Sequence, residues 1–253
     1  MSNLETYKNK KTINYYFNAE GLQLPEQTIL KKNEDKLLNA NVLDVGVGGG
    51  RTTPFFAKNA DYYLGIDFSE EFIIHCQKKY KSAFPNAEFK TVDARSLEQM
   101  TPASFDIILF SFNGIDNVNN EERKNIIKTI YNLLKPSGCF IFSSHNINYL
   151  PILAKYKIYR NPFATLKTVI KHYNFLRKNN LALQNTKDYT FIYDDTYDFG
   201  LTTCYIEAKY QIKQLEEVRF SNCEIYSLNT GNKISITESE TDKSAWLYYT
   251  CTK

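Results

Sequence analysis

The chain has 253 residues, 43% apolar and 23% charged, with a net charge of +3 at neutral pH. That length suits one α/β domain with an elaboration, or two small domains, and the composition excludes a disordered or fibrous chain. No apolar run approaches the ~20 residues of a membrane span, and the polar start Met1-Ser2-Asn3-Leu4-Glu5 carries no signal-type apolar core.

Five cysteines (Cys76, Cys139, Cys204, Cys223 and Cys251) are dispersed, with no C-x-x-C pair and no histidine cluster beside them. They read as free thiols in a reducing cytoplasm, with no disulfide framework and no metal site expected. Charge is uneven. Between Glu122 and Asp188 there is no acidic residue, while twelve Lys or Arg fall in that stretch. An anionic partner follows as an expectation.

In chain order, Val42–Val45 reads as a first strand, followed by a glycine-rich turn and a helix for which Thr53 and Pro54 suit the N-cap and first turn. Residues 62–67 form a second strand ending at Asp67. Ser69 then caps a helix whose first turn holds Glu70 and Glu71, where the macrodipole favours negative charge. Phe89–Val92 is a third strand ending at Asp93. Asp106–Phe110, nearly all apolar, fits a central strand covered on both faces. A helix from Asn119 to Leu134 places Ile126, Ile127, Ile130, Leu133 and Leu134 at core spacing. Pro136-Ser137-Gly138 turns the chain into a fifth strand, Cys139–Ser143. Repeated strand–helix–strand units predict a parallel sheet with right-handed crossovers.

The alternation breaks after Ser144. Phe163–Lys178 reads as an amphipathic helix, with Phe163, Leu166, Val169, Ile170, Tyr173 and Leu176 on one face and Lys167, Lys171 and Lys178 on the other. Tyr189–Tyr193 and Leu201–Glu207 read as strands around an acidic turn (Asp194, Asp195, Asp198). A helix over Tyr210–Val218 and strands at Cys223–Leu228 and Trp246–Thr250 close the chain, with polar Asn229–Ser244 expected as an exposed loop.

The chemistry concentrates at Asp44-Val45-Gly46-Val47-Gly48-Gly49-Gly50-Arg51. Glycine serves where backbone takes positive φ or must approach a ligand closely. The third glycine of the dinucleotide fingerprint would fall on Arg51 or Thr53, and no Gly-Lys-Ser/Thr ends the loop, so neither that fingerprint nor a Walker loop fits. A carboxylate ahead of the glycines suits a ligand with a positive group. Three successive strands end in carboxylates (Asp44, Asp67 and Asp93), at the strand ends where doubly wound sheets bind ligands. Asp67 lies about twenty residues beyond Gly46, the separation at which an acid accepts ribose hydroxyls.

These segments, with Leu64–Ser69, Val92-Asp93-Ala94, Phe105–Phe110 and Leu133–Gly138, resemble in order and spacing the motifs of class I S-adenosylmethionine-dependent methyltransferases. The resemblance covers roughly residues 41–146 and, more loosely, the C-terminus. It implies an α/β, doubly wound Rossmann-like sheet, mostly parallel with an antiparallel last strand, plus an inserted α+β lid or substrate region. Four parts follow: 1–40, a helical segment over the cofactor site; 41–146, the cofactor-binding core; 147–208, the insertion; and 209–253, the C-terminal part of the core sheet.

By the same resemblance S-adenosylmethionine is the cofactor. Asp44 and the backbone of Gly46 and Gly48 would hold its methionine end, beside Val47, Arg51 and Phe110. Asp67 would take the ribose, Phe68 would lie against the adenine, Asp93 and Ala94 would reach its amine, and Tyr16 would cover the methionine end.

Methyl transfer needs alignment and exclusion of water, with a base only where the nucleophile keeps its proton. His145, just past the fifth strand, is the first candidate base, or else a hydrogen-bonded residue at the rim. Asn113 would orient a substrate or cap its own turn, Asp116 is a second candidate base, and His172 reads as solvated. The aromatic, basic insertion suits methyl transfer to an oxygen or nitrogen of a small acceptor, sugar-like or with a phosphate or carboxylate handle, although its rings could equally form the insertion's own core. The same helix could rest on an anionic membrane surface. The net charge and the sequence Ser111-Phe112-Asn113-Gly114, which lacks the prolines of base-amine methyltransferases, weigh against nucleic acid. An RNA methyltransferase and a non-catalytic cofactor-binding module stay open as alternatives. Nothing in the sequence sets the oligomeric state.

Overall fold

The computed structural model describes residues 10–184, 187–193 and 202–253. One ten-stranded sheet organises them, with the path β3-β2-β1-β4-β5-β10-β8-β9. The strands are β1 (Asn41–Val45), β2 (Tyr62–Asp67), β3 (Ala87–Thr91), β4 (Phe105–Phe110), β5 (Leu134–Asn146), β6 (Tyr189–Tyr193), β7 (Thr202–Ile206), β8 (Ser221–Ser227), β9 (Lys233–Ile234) and β10 (Trp246–Thr252). The first five pair in parallel, and β10 lies antiparallel between β5 and β8.

Alternation along the strands sends side chains into two cores. Leu43, Val45, Ile108, Phe140 and Phe142 pack on one face with Ile126, Ile127 and Ile130. Val42, Tyr63, Ile107, Leu109 and Ile141 pack on the other with Ile29, Ile73 and Cys76. Both faces are therefore covered by helices, as expected of apolar parallel strands. The covering helices are α1 (Lys10–Phe17), α2 (Leu24–Lys32), α3 (Glu34–Leu37), α4 (Thr53–Phe56), α5 (Glu70–Tyr80), α6 (Asn120–Leu133), α7 (Leu150–Leu153), α8 (Pro162–Gln184), α9 (Ala208–Glu217) and α10 (Ile236–Thr241). Asn119 caps α6, its side chain accepting from the backbone of Glu122 at 3.0 Å.

Several local expectations are corrected. Thr52, not Thr53, precedes α4 and makes no side-chain cap, its hydroxyl donating instead to buried Asp44. The fifth strand begins at Leu134, one pair with Phe105 before a register shift that bulges Lys135–Gly138, including a left-handed Ser137 (φ +63°), out of the β4 ladder until Cys139 meets Ile107. Residues 229–244 are not a plain loop. They hold β9 and α10, the latter closed by a capping box from Ser235 to Glu238.

The insertion extends the sheet rather than leaving it: β7 runs parallel to the end of β5, with His145 opposite Tyr205, and β6 pairs antiparallel with β7. The acidic turn Asp194, Asp195 and Asp198 lies outside the described residues. Helix α8 packs Phe175 and Asn179 inward, the Asn179 amide bridging to the backbone of Tyr193. The face carrying Phe163, Leu166, Ile170 and Tyr173 is instead exposed. His172 stands against Tyr156, with ring centroids 5.4 Å apart, rather than free in solvent.

Candidate active site

Strand order reverses between β1 and β4, and the crevice there, about 560 Å³, falls within the usual range of small-ligand sites. Each wall is the end of a strand. Gly46 and Gly48 follow β1, Asp67 ends β2, Asp93 and Ala94 follow β3, and Phe110 ends β4. Tyr16 and Phe68 complete the part expected from sequence.

The glycine loop is shaped by two constraints. Gly48 takes φ +52°, and its N–H donates to Asp67 Oδ2 at 3.0 Å. At Gly49 a side chain would overlap the backbone of Tyr16. The end of α1 thus lies directly on the loop, and the Tyr16 ring meets Phe72 and Phe112 edge-on at 5.7 and 6.0 Å. Asp67 also accepts from the Ser69 N–H at 2.9 Å. Burial pushes its pKa up to about 6, against the pull of these backbone donors.

Asp44 stands beneath the loop and does not line the crevice. Its Oδ2 accepts the hydroxyls of Thr52 and Tyr63 (2.7 Å to Tyr63), while Oδ1 is buried with no partner among the described residues. Burial raises its pKa to about 6. Val47 belongs to the apolar core. Arg51 is held away from the crevice by a two-pronged pair with buried Glu26, both contacts 2.6 Å, and its guanidinium lies 5.1 Å over the Phe112 ring. Glu26 also accepts from Tyr248 at 2.7 Å and from the Gln23 N–H at 2.8 Å, tying α2 to the loop and to β10. Arg95 folds back on Asp93 (Nη2 to Oδ2 2.6 Å) and keeps that carboxyl below its ordinary pKa.

The three candidate catalytic residues meet beside the crevice rather than in its wall. His145 Nδ1 is 2.8 Å from Asp116 Oδ2, and Asn113 Nδ2 is 3.4 Å from His145 Nε2. Asp116 is fully buried and is no free base. Its Oδ1 accepts from Arg123 at 2.6 Å and from Ser144 at 2.7 Å, and Arg123 continues to Gln211. A carboxylate on Nδ1 fixes the tautomer in which Nε2 accepts. Phe112 and Asn113 both take left-handed φ, +57° and +61°, a strained pair of the kind found at functional sites. Trp246 bridges the two regions, 5.9 Å from Phe112 and 6.0 Å from His145.

Sequence reasoning missed much of the remaining lining. Phe72, Phe112 and Val118 come from segments with no motif, while Phe191 and Thr202 reach the crevice from the insertion. Across Phe112, a second hollow of about 520 Å³ is lined by Tyr15, Asn18, Gln23 and Arg51. Among the described residues no cluster of His, Cys, Asp and Glu could hold a metal.

Residues 42–138 match the family model described as a methyltransferase domain. The ubiquinone biosynthesis O-methyltransferase of Pseudomonas entomophila is 28% identical over 112 residues, 44% of this chain and 47% of that protein. The chain thus spans about half the length of the relatives it matches. Among solved structures, an S-adenosylmethionine-dependent methyltransferase from Mesorhizobium loti superposes over 90% of this chain and 98% of its own, with TM-score 0.60 and 17% identity. The Burkholderia thailandensis 1,6-didemethyltoxoflavin-N1-methyltransferase, solved with its acceptor and S-adenosylhomocysteine, superposes over 99% of this chain and 84% of its own, with TM-score 0.60 and 15% identity.

Proposed function

We propose that the chain methylates an oxygen of a small molecule: residues 42–138 match the methyltransferase-domain model, and the fold is the one seen in S-adenosylmethionine-dependent methyltransferases. The cofactor supplies a methyl group already activated on a sulfonium. The residues present fit it. Asp44, beneath the loop, keeps a buried unpartnered Oδ1 whose negative charge would act on the crevice through the loop, Asp67 in the lining keeps acceptor capacity beyond the backbone donors of Gly48, Ser69 and Phe68, and at Gly48 a side chain would fill the gap below the Tyr16 ring, 3.7 Å from it.

The observation that carries the choice of oxygen is the His145–Asp116 pair. A hydroxyl holds its proton at neutral pH, so its attack on a methyl carbon gains from a base. Asp116 would hold His145 in the tautomer whose Nε2 accepts, and the Asn113 amide, 3.4 Å from Nε2, would give way there to the acceptor hydroxyl. Trp246 packs against both His145 and Phe112, and Phe112 lines the crevice and would orient the acceptor. The unpaired thiols support a reducing, cytoplasmic setting.

The test is release of S-adenosylhomocysteine from a panel of small hydroxylated and carboxylated compounds, run beside amine analogues and RNA oligonucleotides. Turnover on hydroxyl compounds, lost in His145→Ala, is the expected result. Turnover confined to amines, or binding of oligonucleotides that weakens steeply with salt, would overturn the proposal.

A further inference from the structure

Helix α8 presents an outward stripe that the proposed methyl transfer leaves unexplained. Phe163 is 76% exposed, Tyr173 64%, Leu166 56% and Ile170 51%, and Ile158 in the preceding loop is 78% exposed. At about 100° per residue these helix positions fall on one face, opposite the packed Phe175 and Asn179. A contiguous exposed apolar stripe on a soluble domain marks an interaction surface.

Charge indicates what covers it. Lys167 follows one flank of the stripe, and Lys155, Lys157 and Arg160 precede it, with no acidic residue between Glu122 and Asp188; Lys178 turns instead toward the Tyr193 ring, 5.9 Å from its centroid. We propose that α8 and the loop before it dock on an anionic lipid bilayer, the apolar stripe entering the interface and the basic flank meeting the headgroups. A second copy docked stripe against stripe would set these basic groups against each other, whereas an anionic bilayer complements both the charge and the apolar face. Among the described residues no helix is long and apolar enough to cross a membrane, so the association is peripheral. Phe191 and Thr202, on the hairpin that packs against α8, line the crevice, which places that mouth on the docked segment.

The full chain is sedimented with vesicles of phosphatidylcholine alone and with vesicles containing equal parts phosphatidylglycerol. Binding at least tenfold tighter to the anionic vesicles, weakened by salt, is expected. Lys157→Glu with Lys167→Glu should lower that affinity about tenfold or more. Leu166→Ser with Ile170→Ser should abolish it, while cofactor binding by calorimetry and the melting temperature stay at parental values. Equal binding to both vesicle types, no binding to either, or a concentration-dependent dimer in light scattering that the Ser variant dissolves would overturn the proposal.

Discussion

The cofactor crevice and helix α8 manage their side chains in opposite ways. Around the crevice, charge is buried and nearly every charged group is bound: Glu26 holds Arg51, Asp67 takes the backbone donors of Gly48, Phe68 and Ser69, and Asp116 takes His145, Arg123 and Ser144. On α8, apolar side chains face outward and the basic groups lie along their flank. The first arrangement is preorganised: its dipoles are fixed before any ligand arrives, as catalysis by positioning requires. The second has no such internal logic and gains stability only when something covers it. The contrast supports the proposed division, with chemistry in one region and docking in the other.

The contrast breaks most sharply at His145. Replacement by Ala should lower kcat by about 10²- to 10⁴-fold, the usual contribution of a positioned base, with calorimetric cofactor affinity within about twofold. Unchanged turnover would remove the base and favour a nitrogen acceptor. Next is Glu26→Ala, which strands the buried Arg51 guanidinium. Breaking a buried pair costs about 3–5 kcal/mol, read as a lower denaturant midpoint. A mild loss of stability with a large loss of cofactor affinity would instead return Arg51 to the binding set.

Asp67→Ala should weaken cofactor binding more than tenfold with the fold retained in circular dichroism. The ionised carboxylate is the form that accepts ribose hydroxyls. With its pKa raised to about 6, protonation below that pH removes the acceptor, so affinity should fall between pH 7 and pH 5. Asp67→Asn should bind weakly and flatten that profile. A parental profile equally flat would displace the ribose from this carboxylate.

Much of the crevice was legible because its residues are fixed by neighbours close in sequence. Glycines after a strand, an acid at a strand end and a capped helix are local patterns, and they pointed to Gly46, Gly48, Asp67, Asp93 and Phe110, all of which line one crevice. Contacts over long separations were not legible. Nothing near Arg51 signals that Glu26 will claim it across twenty-five residues, and nothing near Asp44 signals that Tyr63 and Thr52 will fill one of its oxygens. The apolar period of α8 was read correctly, yet period alone cannot say which side meets the sheet. Phe175 and Asn179 won that face because Asn179 bonds to the edge of β6, leaving the more continuous apolar stripe outside. The left-handed Phe112 and Asn113 had only the following Gly114 as a hint.

The smallest effects test the comparison most cleanly. Asp44→Asn keeps an acceptor for Tyr63 and Thr52 while removing a desolvated charge. In the parent, the folded pKa near 6 exceeds the ordinary 3.8, so ionisation destabilises the fold above about pH 6 and ceases to matter below about pH 4. Any stability advantage of the variant should thus be largest at pH 7 and vanish toward pH 4 in urea titrations. A variant whose deficit grows with pH would mean that the charge itself holds the loop. Smaller still, Phe163→Ser or Ile170→Ser should change stability by no more than about 0.5 kcal/mol, whereas Ile130→Ala, a truncation of the same class in the core beneath α6, should cost about 2–5 kcal/mol. Comparable losses at all three positions in dilute, monomeric protein would mean that the α8 stripe is packed within the chain, and the division between a chemical region and a docking region would then fail.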